Sequence, residues 1–451
     1  MRPCVLKFGG TSLATPERIR AVVAILREAA AERPVVAVAS ALAGVTDGLL
    51  VIAERARRCD KAARRDLASL AERHRAALVA LAPGDRAASR AVERELGELA
   101  AALEGVTLLR ELPAGVRDRL ASAGERLSVA LLAAALRAAG LSASAFDAAD
   151  LVATDATFGE AEVDLERTRR SVDGRLVPRL GREIPVVPGF YGAAADGRVR
   201  LLGRGASDLT ATILGACLQA ERVEIWTDVD GVLSADPRLV PEAFTLARLT
   251  PALAGELAHF GAKVLHPRAV WPAALAGVPI VVANTGHPGR GRSEIVSAAD
   301  DRAVRAIATR AGVALLRIAA GARSLGELAT SALSVLVAAR LPVLLVQQAG
   351  SGAELLVAVD GTAGEPGRAV LAGMGLSSEV EERLALVAIV GRELAAPARQ
   401  LLSSAGVSPR LWSEHGTRGA VAAVAAEALA ATARRLHAEL VVPGAPDRKA
   451  A

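Results

Sequence analysis

Two glycine-rich segments place charged and hydroxyl side chains beside backbone that an anion can approach. The first is Lys7-Phe8-Gly9-Gly10-Thr11-Ser12, which follows a short apolar run and precedes a helical stretch beginning after Thr15-Pro16. Glycines let backbone N–H groups come close to an anion, and a lysine adds a compact positive charge, as phosphate binding requires. A simple turn that ends a strand would have a similar sequence, so this segment alone does not decide between the two.

The second segment is Gly203-Arg204-Gly205-Ala206-Ser207-Asp208, between a predicted strand and a predicted helix over Leu209 to Ala220. It presents a guanidinium, a hydroxyl and a carboxylate together. An aspartate at a helix start can also act only as an N-cap. The segment therefore indicates either an anion and substrate loop or ordinary capping.

Three further polar segments are candidates for ligand binding. Glu125 lies in the first turn of the helix that begins near Ser122, where the helix dipole also favours a carboxylate. Thr227 to Arg238 is a polar excursion after a strand, typical of a nucleotide loop or of a plain connection. Gly261 to Pro267 contains Lys263, and the nearby His259 and His266 are interpreted as structural residues.

Composition narrows the class of protein. The 451 residues are 52% hydrophobic and 23% charged, which excludes a disordered chain. The net charge of +5 is the small difference between 54 basic and 49 acidic residues, so nucleic acid is not an expected partner. Only four residues are lysines, and a lysine kept against this bias suits a site that needs a compact ammonium. The three cysteines and six histidines show no metal-ligand spacing, and neither a membrane span nor a signal peptide is recognisable, so we predict a cytoplasmic protein without a metal site in its own side chains.

Alternating apolar runs and helical patterns predict an α/β fold. Residues 1–297 are expected to form a three-layer α/β/α domain on a parallel sheet, with a helical insertion over about 50–140 that is broken at Pro83-Gly84. Two later passes of strand and helix predict two ferredoxin-like βαββαβ modules, 302–380 and 381–445. Trp412 is the only aromatic residue after Trp271, which disfavours RNA binding and favours small-molecule binding or dimer contacts for these modules.

Taken together, the segments resemble those of the aspartate kinases of the amino acid kinase superfamily. They occur in that family's order over about residues 4–297, and the resemblance implies that the two C-terminal modules are of the ACT type. The matching segments are Lys7 to Ser12, Ser40-Ala41, Gly44 to Asp47, Ser122 to Ser128, Thr154-Asp155, Pro188 to Phe190 with Gly192, Leu202 to Asp208, Glu224 to Arg238, and Phe260 to Pro267.

The resemblance implies transfer of the ATP γ-phosphoryl group to the side-chain carboxylate of L-aspartate. Lys7 would neutralise phosphate charge, helped by the N–H groups of Gly9 and Gly10, and Asp208 would orient Lys7 and the acceptor. Glu125 would pair with the substrate ammonium and Arg204 with its α-carboxylate. The other implied substrate contacts are Ser40, Thr46, Phe190 and Ser207. The implied nucleotide contacts are Gly9, Gly10, Ser12, Thr227, Asp228, Ser234, Asp236, Pro237, Arg238 and Lys263. ATP with Mg²⁺ is the implied cosubstrate, and a homo-oligomer through the C-terminal modules the implied assembly.

Two departures from the family pattern bear on activity and regulation. Ala206 replaces the last glycine of the usual Gly-Arg-Gly-Gly-Ser-Asp, and the segment Ala319 to Gly326 lacks the usual Pro-Gly effector loop. We therefore predict that lysine and threonine do not inhibit this protein. A kinase of a specialised pathway with another amino acid acceptor, and a non-catalytic regulatory subunit, are the alternatives.

Overall fold

A computed structural model describes residues 1–261, 265–299, 304–321, 323–349 and 354–442. The chain divides into two compact units, one of residues 1–232 with 264–299 and the other of residues 233–263 with 300–451. Residues 233–263 thus belong with the C-terminal part of the chain, although the sequence pattern assigned them to the first domain. The domain limits 1–297, 302–380 and 381–445 stay predictions.

The elements are given in chain order. Residues 1–232 contain β1 (Cys4–Phe8), α1 (Pro16–Glu32), β2 (Val35–Ala39), α2 (Val45–Arg57), α3 (Ala62–Leu81), α4 (Arg86–Leu109), α5 (Ala114–Ala121), α6 (Ala123–Ala138), β3 (Ala143–Ala145), α7 (Leu165–Arg175), β4 (Ile184–Pro188), β5 (Tyr191–Ala193), β6 (Val199–Leu201), α8 (Ala206–Cys217) and β7 (Arg222–Thr227). The second unit then receives β8 (Arg248–Leu249) and α9 (Pro251–His259), and the first unit is completed by α10 (Pro267–Leu275), β9 (Ile280–Asn284) and β10 (Ser293–Ile295). The remainder of the second unit contains β11 (Ala306–Ala319), α11 (Leu325–Ala338), β12 (Val343–Ala349), β13 (Glu354–Asp360), α12 (Gly364–Gly373), β14 (Ser378–Val390), α13 (Ala395–Ser404), β15 (Leu411–Glu414), β16 (Gly419–Ala425), α14 (Leu429–Leu436) and a π-helical turn at His437–Val441.

A largely parallel sheet forms the centre of the first unit, with the strand order β3-β4-β2-β1-β7-β9-β10. β1 and β2 are buried along their whole length, as expected for strands covered on both faces. β1 lies between β2 and β7, with Lys7 opposite Val38 on one side and Ile225 on the other. The parallel sheet confirms the predicted α/β fold class, and it brings the carboxyl ends of β1, β2, β7 and β9 to one edge.

Helices α2 to α6 form the predicted insertion. α3 ends at Leu81 and α4 begins at Arg86, so the chain breaks at Pro83-Gly84 as the sequence indicates. α6 is rich in alanine and leucine and is almost wholly buried, because small side chains let it pack closely against its neighbours.

The second unit has a six-stranded sheet with the order β12-β13-β11-β14-β16-β15. The apolar pattern of the sequence predicts two strands, at 302–310 and 313–318, whereas the structure has one long strand, β11, over Ala306–Ala319. Its pairing with β14 shifts register near Gly312, which has a φ of +69°. A left-handed glycine therefore produces a bulge in β11 where the sequence pattern indicated a break between two strands.

The sequence pattern does not indicate helix α12, because its sequence, GEPGRAVLAG, contains three glycines and a proline. A Cβ on Gly364 would lie 2.9 Å from the Ala314 side chain, and one on Gly367 would lie 3.0 Å from that of Leu316. The glycines therefore let α12 lie directly on β11, and the tertiary contact offsets the low helix propensity. No described helix is both long and apolar enough to cross a lipid bilayer.

Candidate active site

Lys7 and Asp208 form an ion pair at the edge of the parallel sheet. Lys7 Nζ lies 2.5 Å from Asp208 Oδ1, and both side chains are about nine-tenths buried. Asp208 is the third residue of α8, whose N-cap is Gly205 with a φ of +68°. Asp208 is thus not the N-cap, and its carboxylate faces the lysine of the first glycine segment.

Glu125 lies in the first turn of α6 and is 3% exposed. Burial raises the pKa of its carboxyl to about 8, although the N–H of Ala41 and the positive charge of Lys7 both act to lower it. One of its oxygens, Oε2, has no hydrogen-bond partner in the described part of the chain. A buried carboxyl with an unused oxygen is suited to receiving a cationic group of a ligand.

One cleft of about 280 Å³ brings together most of the predicted catalytic and substrate-binding residues. Those that line it are Lys7, Ser40, Thr46, Glu125, Phe190, Ser207 and Asp208, and the predicted nucleotide contact Gly10 lines it as well. The loop at Ala41 to Gly44 and the residues Asp47, Gly205 and Ala206 complete the wall. A lysine paired with an aspartate, a buried glutamate and several hydroxyls therefore face one small polar space.

Close packing of glycines fixes the shape of this cleft. A Cβ on Gly10 would lie 2.9 Å from the carbonyl oxygen of Ala41, and one on Gly189 would lie 2.6 Å from Ser207 Cβ. A Cβ on Gly205 would lie 2.3 Å from His266 Cβ. The loops can approach each other this closely only because these positions have no side chain.

Phe190 has a φ of +77°, a left-handed conformation that is unusual for an aromatic residue. Its carbonyl accepts a hydrogen bond from the N–H of Leu202 at 2.9 Å, just before the second glycine segment. Ser40 is also anchored through its backbone, because Ser128 Oγ donates to the Ser40 carbonyl at 2.6 Å. Both cleft residues are therefore anchored through backbone carbonyls, and their side chains are left to the cleft.

Three of the predicted ligand contacts do not line this cleft. The N–H of Gly9 donates to the carbonyl of Trp226 at 3.2 Å, so this donor is engaged at the sheet edge in the ligand-free protein, and its contact with a phosphate stays a prediction. Ser12 is buried, with its hydroxyl 2.7 Å from that of Thr285. Arg204 is exposed on the loop before α8 and is not among the residues lining the cleft described in the first unit.

The predicted nucleotide residues after β7 fall into both units. In the first unit, Thr227 is the last residue of β7 and Asp228 follows it, and the Thr227 hydroxyl donates to the Asp228 carboxylate at 3.2 Å. In the second unit, Asp236 accepts two hydrogen bonds from the exposed Arg238 guanidinium, at 2.6 and 3.0 Å, and Pro237 is exposed. Ser234 is fully buried, and Lys263 lies outside the described residues.

Sequence reasoning missed Asn284 and Thr285 at the end of β9. The Asn284 amide donates to Asp230 Oδ1 at 2.6 Å, and its own oxygen accepts the N–H of Gly286 at 2.8 Å. The Thr285 N–H donates to the Thr227 carbonyl at 2.8 Å. The available signal was two polar residues directly after an apolar strand, since side chains at the carboxyl ends of neighbouring parallel strands meet at one edge.

The described residues contain no group of three or more His, Cys, Asp or Glu side chains arranged to hold a metal ion. Asp208 is paired with Lys7, and Glu125 is buried with a pKa near 8. These two carboxyl groups are thus suited to organic charged groups rather than to a metal cage.

Comparison with known proteins agrees with this geometry. The model of the amino acid kinase family matches residues 2–284. The chain is 33% identical to the lysine-sensitive aspartokinase 3 of Escherichia coli over 405 residues, which is 86% of this chain and 87% of that protein. It is 34% identical to the chloroplastic aspartokinase 2 of Arabidopsis thaliana over 72% of this chain and 60% of that protein.

Among solved structures, E. coli aspartokinase III in complex with aspartate and ADP superimposes with a TM-score of 0.85 at 29% identity, covering 97% of this chain and 99% of that chain. The chain belongs to the amino acid kinase family and, within it, to the aspartokinases. It spans 31–60% of the length of the chloroplastic and bifunctional aspartokinases that are among its relatives.

Proposed function

We propose that this protein catalyses the ATP-dependent phosphorylation of the side-chain carboxylate of L-aspartate, giving 4-phospho-L-aspartate, the first step toward the aspartate-derived amino acids. The observation that carries the proposal is the Lys7–Asp208 ion pair in the same cleft as the buried Glu125. The relative whose solved structure holds aspartate and ADP has the same fold, which supports the choice of substrates.

The acceptor needs no general base. A side-chain carboxyl with an ordinary pKa near 4 is already ionised at neutral pH. One of its oxygens forms the new bond to the γ-phosphorus while the bond from that phosphorus to the β–γ bridging oxygen breaks, and ADP leaves with those electrons. Catalysis therefore reduces to positioning and to stabilising negative charge on the transferred group.

Lys7 is the residue that would stabilise this charge. Its ammonium is a compact cation held in a largely buried place, where electrostatic stabilisation is stronger than in water. Asp208 would keep that ammonium pointing into the cleft and limit repulsion between Lys7 and the ammonium of the substrate. Gly10, whose position cannot accommodate a side chain, would let the phosphates approach the backbone.

Glu125 would receive the α-ammonium of aspartate, and Ser40, Thr46, Phe190 and Ser207 would shape the rest of the acceptor site. Arg204, which is exposed on a loop that begins at Gly203, would have to turn toward the substrate to pair with its α-carboxylate. The roles of Ser12, Thr227, Asp228, Asp236, Pro237, Arg238 and Lys263 in nucleotide binding stay predictions.

Mg²⁺ would enter with the ATP phosphates and neutralise part of their charge. The lysine-paired Asp208 and the protonated Glu125 fit an ion that is held chiefly by phosphate and water oxygens. The homo-oligomer through the C-terminal modules and the cytoplasmic location also stay predictions.

The test is an ATP-dependent hydroxamate assay with purified protein, Mg²⁺ and L-aspartate, run in parallel with L-glutamate and a panel of other amino acids. Turnover with L-aspartate is expected, with far less for L-glutamate. Turnover with another acceptor alone would replace the substrate assignment, and no turnover with any acceptor would favour the non-catalytic subunit.

A further inference from the structure

The loop from Ser234 to Phe244, here called the 234–244 loop, carries Asp236, Pro237 and Arg238 and belongs to the second unit. Its ends are closed on each other, because the N–H of Ser234 donates to the Phe244 carbonyl at 2.8 Å and the N–H of Phe244 donates to Ser234 Oγ at 3.0 Å. The carbonyl of Ser234 accepts a bond from the N–H of Ile307 in β11 at 2.8 Å. The loop is therefore a closed turn attached to the central strand of that unit's sheet.

Helix α14 and the π-helical turn that follows it pack against the apolar side chains of this loop. Ala235 and Val240 are buried in one apolar cluster with Leu436, Leu440 and Val441. Arg434 Nε donates to the Leu239 carbonyl at 2.7 Å. The conformation of the loop thus depends on residues about two hundred positions later in the chain.

One buried polar contact connects the two segments. His437 Nε2 lies 2.9 Å from Ser234 Oγ, with the imidazole 1% exposed and the serine fully buried. The His437 ring also packs 6.0 Å from the ring of Phe244. Since Ser234 Oγ accepts the Phe244 N–H, its own proton can be donated to the histidine, which gives a chain from Phe244 through Ser234 to His437.

These contacts engage the Ser234 hydroxyl with Phe244 and His437 inside the second unit, whereas the family resemblance implied a nucleotide contact for Ser234. His437 is also the first residue of the π-helical turn, an irregularity that is rare in helices and frequent at functional positions. A buried polar chain of this kind favours one geometry, because breaking it leaves a desolvated donor or acceptor unpaired.

We propose that His437 is a positioning residue for nucleotide binding, which acts through Ser234 to hold the 234–244 loop in its ATP-binding conformation. The inference rests on the proposed function, because it takes Asp236 and Arg238 of this loop as nucleotide contacts. Ser234 then belongs to the support of the site rather than to its surface.

The experiment compares His437→Leu, His437→Gln and Thr432→Val in the full-length protein. Leucine removes the ring nitrogen, and glutamine places an amide close to the position of Nε2. Thr432→Val is the matched control, because Thr432 is buried in α14, directly before the π-helical turn, and its hydroxyl has no hydrogen-bond partner among the described residues. Binding of MgADP is measured by titration calorimetry, and KM is measured separately for ATP and for L-aspartate.

We expect His437→Leu to weaken MgADP binding about tenfold and to raise the KM for ATP in proportion, with the KM for aspartate changed less than about twofold. His437→Gln should recover most of the affinity, and Thr432→Val should match the parent protein. A folded His437→Leu protein with unchanged MgADP affinity, or with both KM values raised equally, would overturn the inference.

Ser234→Ala is the second variant, in case His437→Leu does not fold. It removes the other half of the same bond, and the same loss of MgADP affinity is expected; unchanged affinity would again overturn the inference. Calorimetry with MgADP does not require turnover. A parent protein that binds MgADP but phosphorylates no aspartate would therefore contradict the proposed function, while the inference would still be decided by the comparison of affinities.

Discussion

Lys7 in β1 and Asp208 in α8 form an ion pair with 2.5 Å between Nζ and Oδ1, although they belong to separate glycine segments about two hundred residues apart in the chain. β1 is central in the sheet, and α8 follows the β5–β6 hairpin, so the parallel sheet is what brings the two segments to the same edge. This pair is the reason for treating the two glycine segments as one site.

Replacing Lys7 with Met should lower kcat by at least about 10²- to 10³-fold, because it removes the cation next to the transferred group. The assay is turnover with saturating ATP and aspartate, and thermal unfolding checks that the protein is folded. Lys61→Met is the matched control, since Lys61 is exposed, and it should retain full activity. Normal turnover in the Lys7→Met protein would remove the central assignment.

The activity should depend on pH through Glu125. With its pKa raised to about 8 by burial, Glu125 is protonated in the free protein at neutral pH, and it must ionise to pair with the substrate ammonium. We expect kcat/KM for aspartate to rise about tenfold per pH unit below pH 8 and to level off above it. Glu125→Gln should give a low value without this rise. A flat profile in the parent protein would contradict the assignment.

The same carboxyl should make the ligand-free protein less stable as the pH increases. In the unfolded chain a glutamate titrates near 4.5, so between about pH 4.5 and pH 8 the folded state binds a proton that the unfolded state lacks. Stability then falls with increasing pH over this window, by up to about 1.4 kcal/mol per unit, and is constant above it. Denaturant unfolding at several pH values measures this slope, and Glu125→Gln should reduce it.

Gly205→Ala should be far more disruptive than an alanine at another left-handed glycine. Both Gly205 and Gly84 have positive φ values, and alanine at such a position costs about 1 kcal/mol. Only at Gly205 would the new methyl group also overlap His266, 2.3 Å away, whereas nothing lies within 4 Å at Gly84. Unfolding midpoints of the two variants give the comparison; equal destabilisation would show that His266 moves aside freely.

Ala206, which replaces the last glycine of the family's Gly-Arg-Gly-Gly-Ser-Asp motif, should have little effect on activity. Ala206 is the first residue of α8 and the left-handed residue is Gly205, so the extra methyl group needs no unusual backbone conformation. Ala206→Gly is expected to change kcat less than about twofold and to cost up to about 1 kcal/mol of stability. A large gain in turnover would mean that the methyl group does impair the site.

Lysine and threonine at millimolar concentrations should leave activity nearly unchanged. The connection from β11 to α11 has no Pro-Gly pair, and Ser324 and Glu327 form a capping box that starts α11 directly. Activity assays with each amino acid separately and with both together provide the test, with a lysine-sensitive aspartokinase as the positive control. Strong inhibition by either amino acid would refute the prediction.

The amino-acid sequence by itself determined the fold class and most members of the site. Buried apolar runs in alternation with helical patterns specify a parallel sheet, and Lys7, Glu125 and Asp208 are recognisable because each lies where a strand or helix begins or ends. These signals are local, because each depends only on the residue types within one strand or helix and its flanking loop. Local patterns fail at β11, for which they predict two strands. They also fail at α12, whose glycines lower the helix propensity of a segment that packing against β11 stabilises as a helix.

Only the tertiary structure decided what each polar group faces. It placed Asp208 on Lys7 instead of at a helix cap, engaged the N–H of Gly9 with Trp226, and turned the Ser234 hydroxyl toward His437. It also placed residues 233–263 in the second compact unit. The partners in these contacts are far apart in the chain. The elements that pack around a side chain determine its burial and the direction of its hydrogen bonds. Local spacing in the sequence therefore cannot predict these contacts.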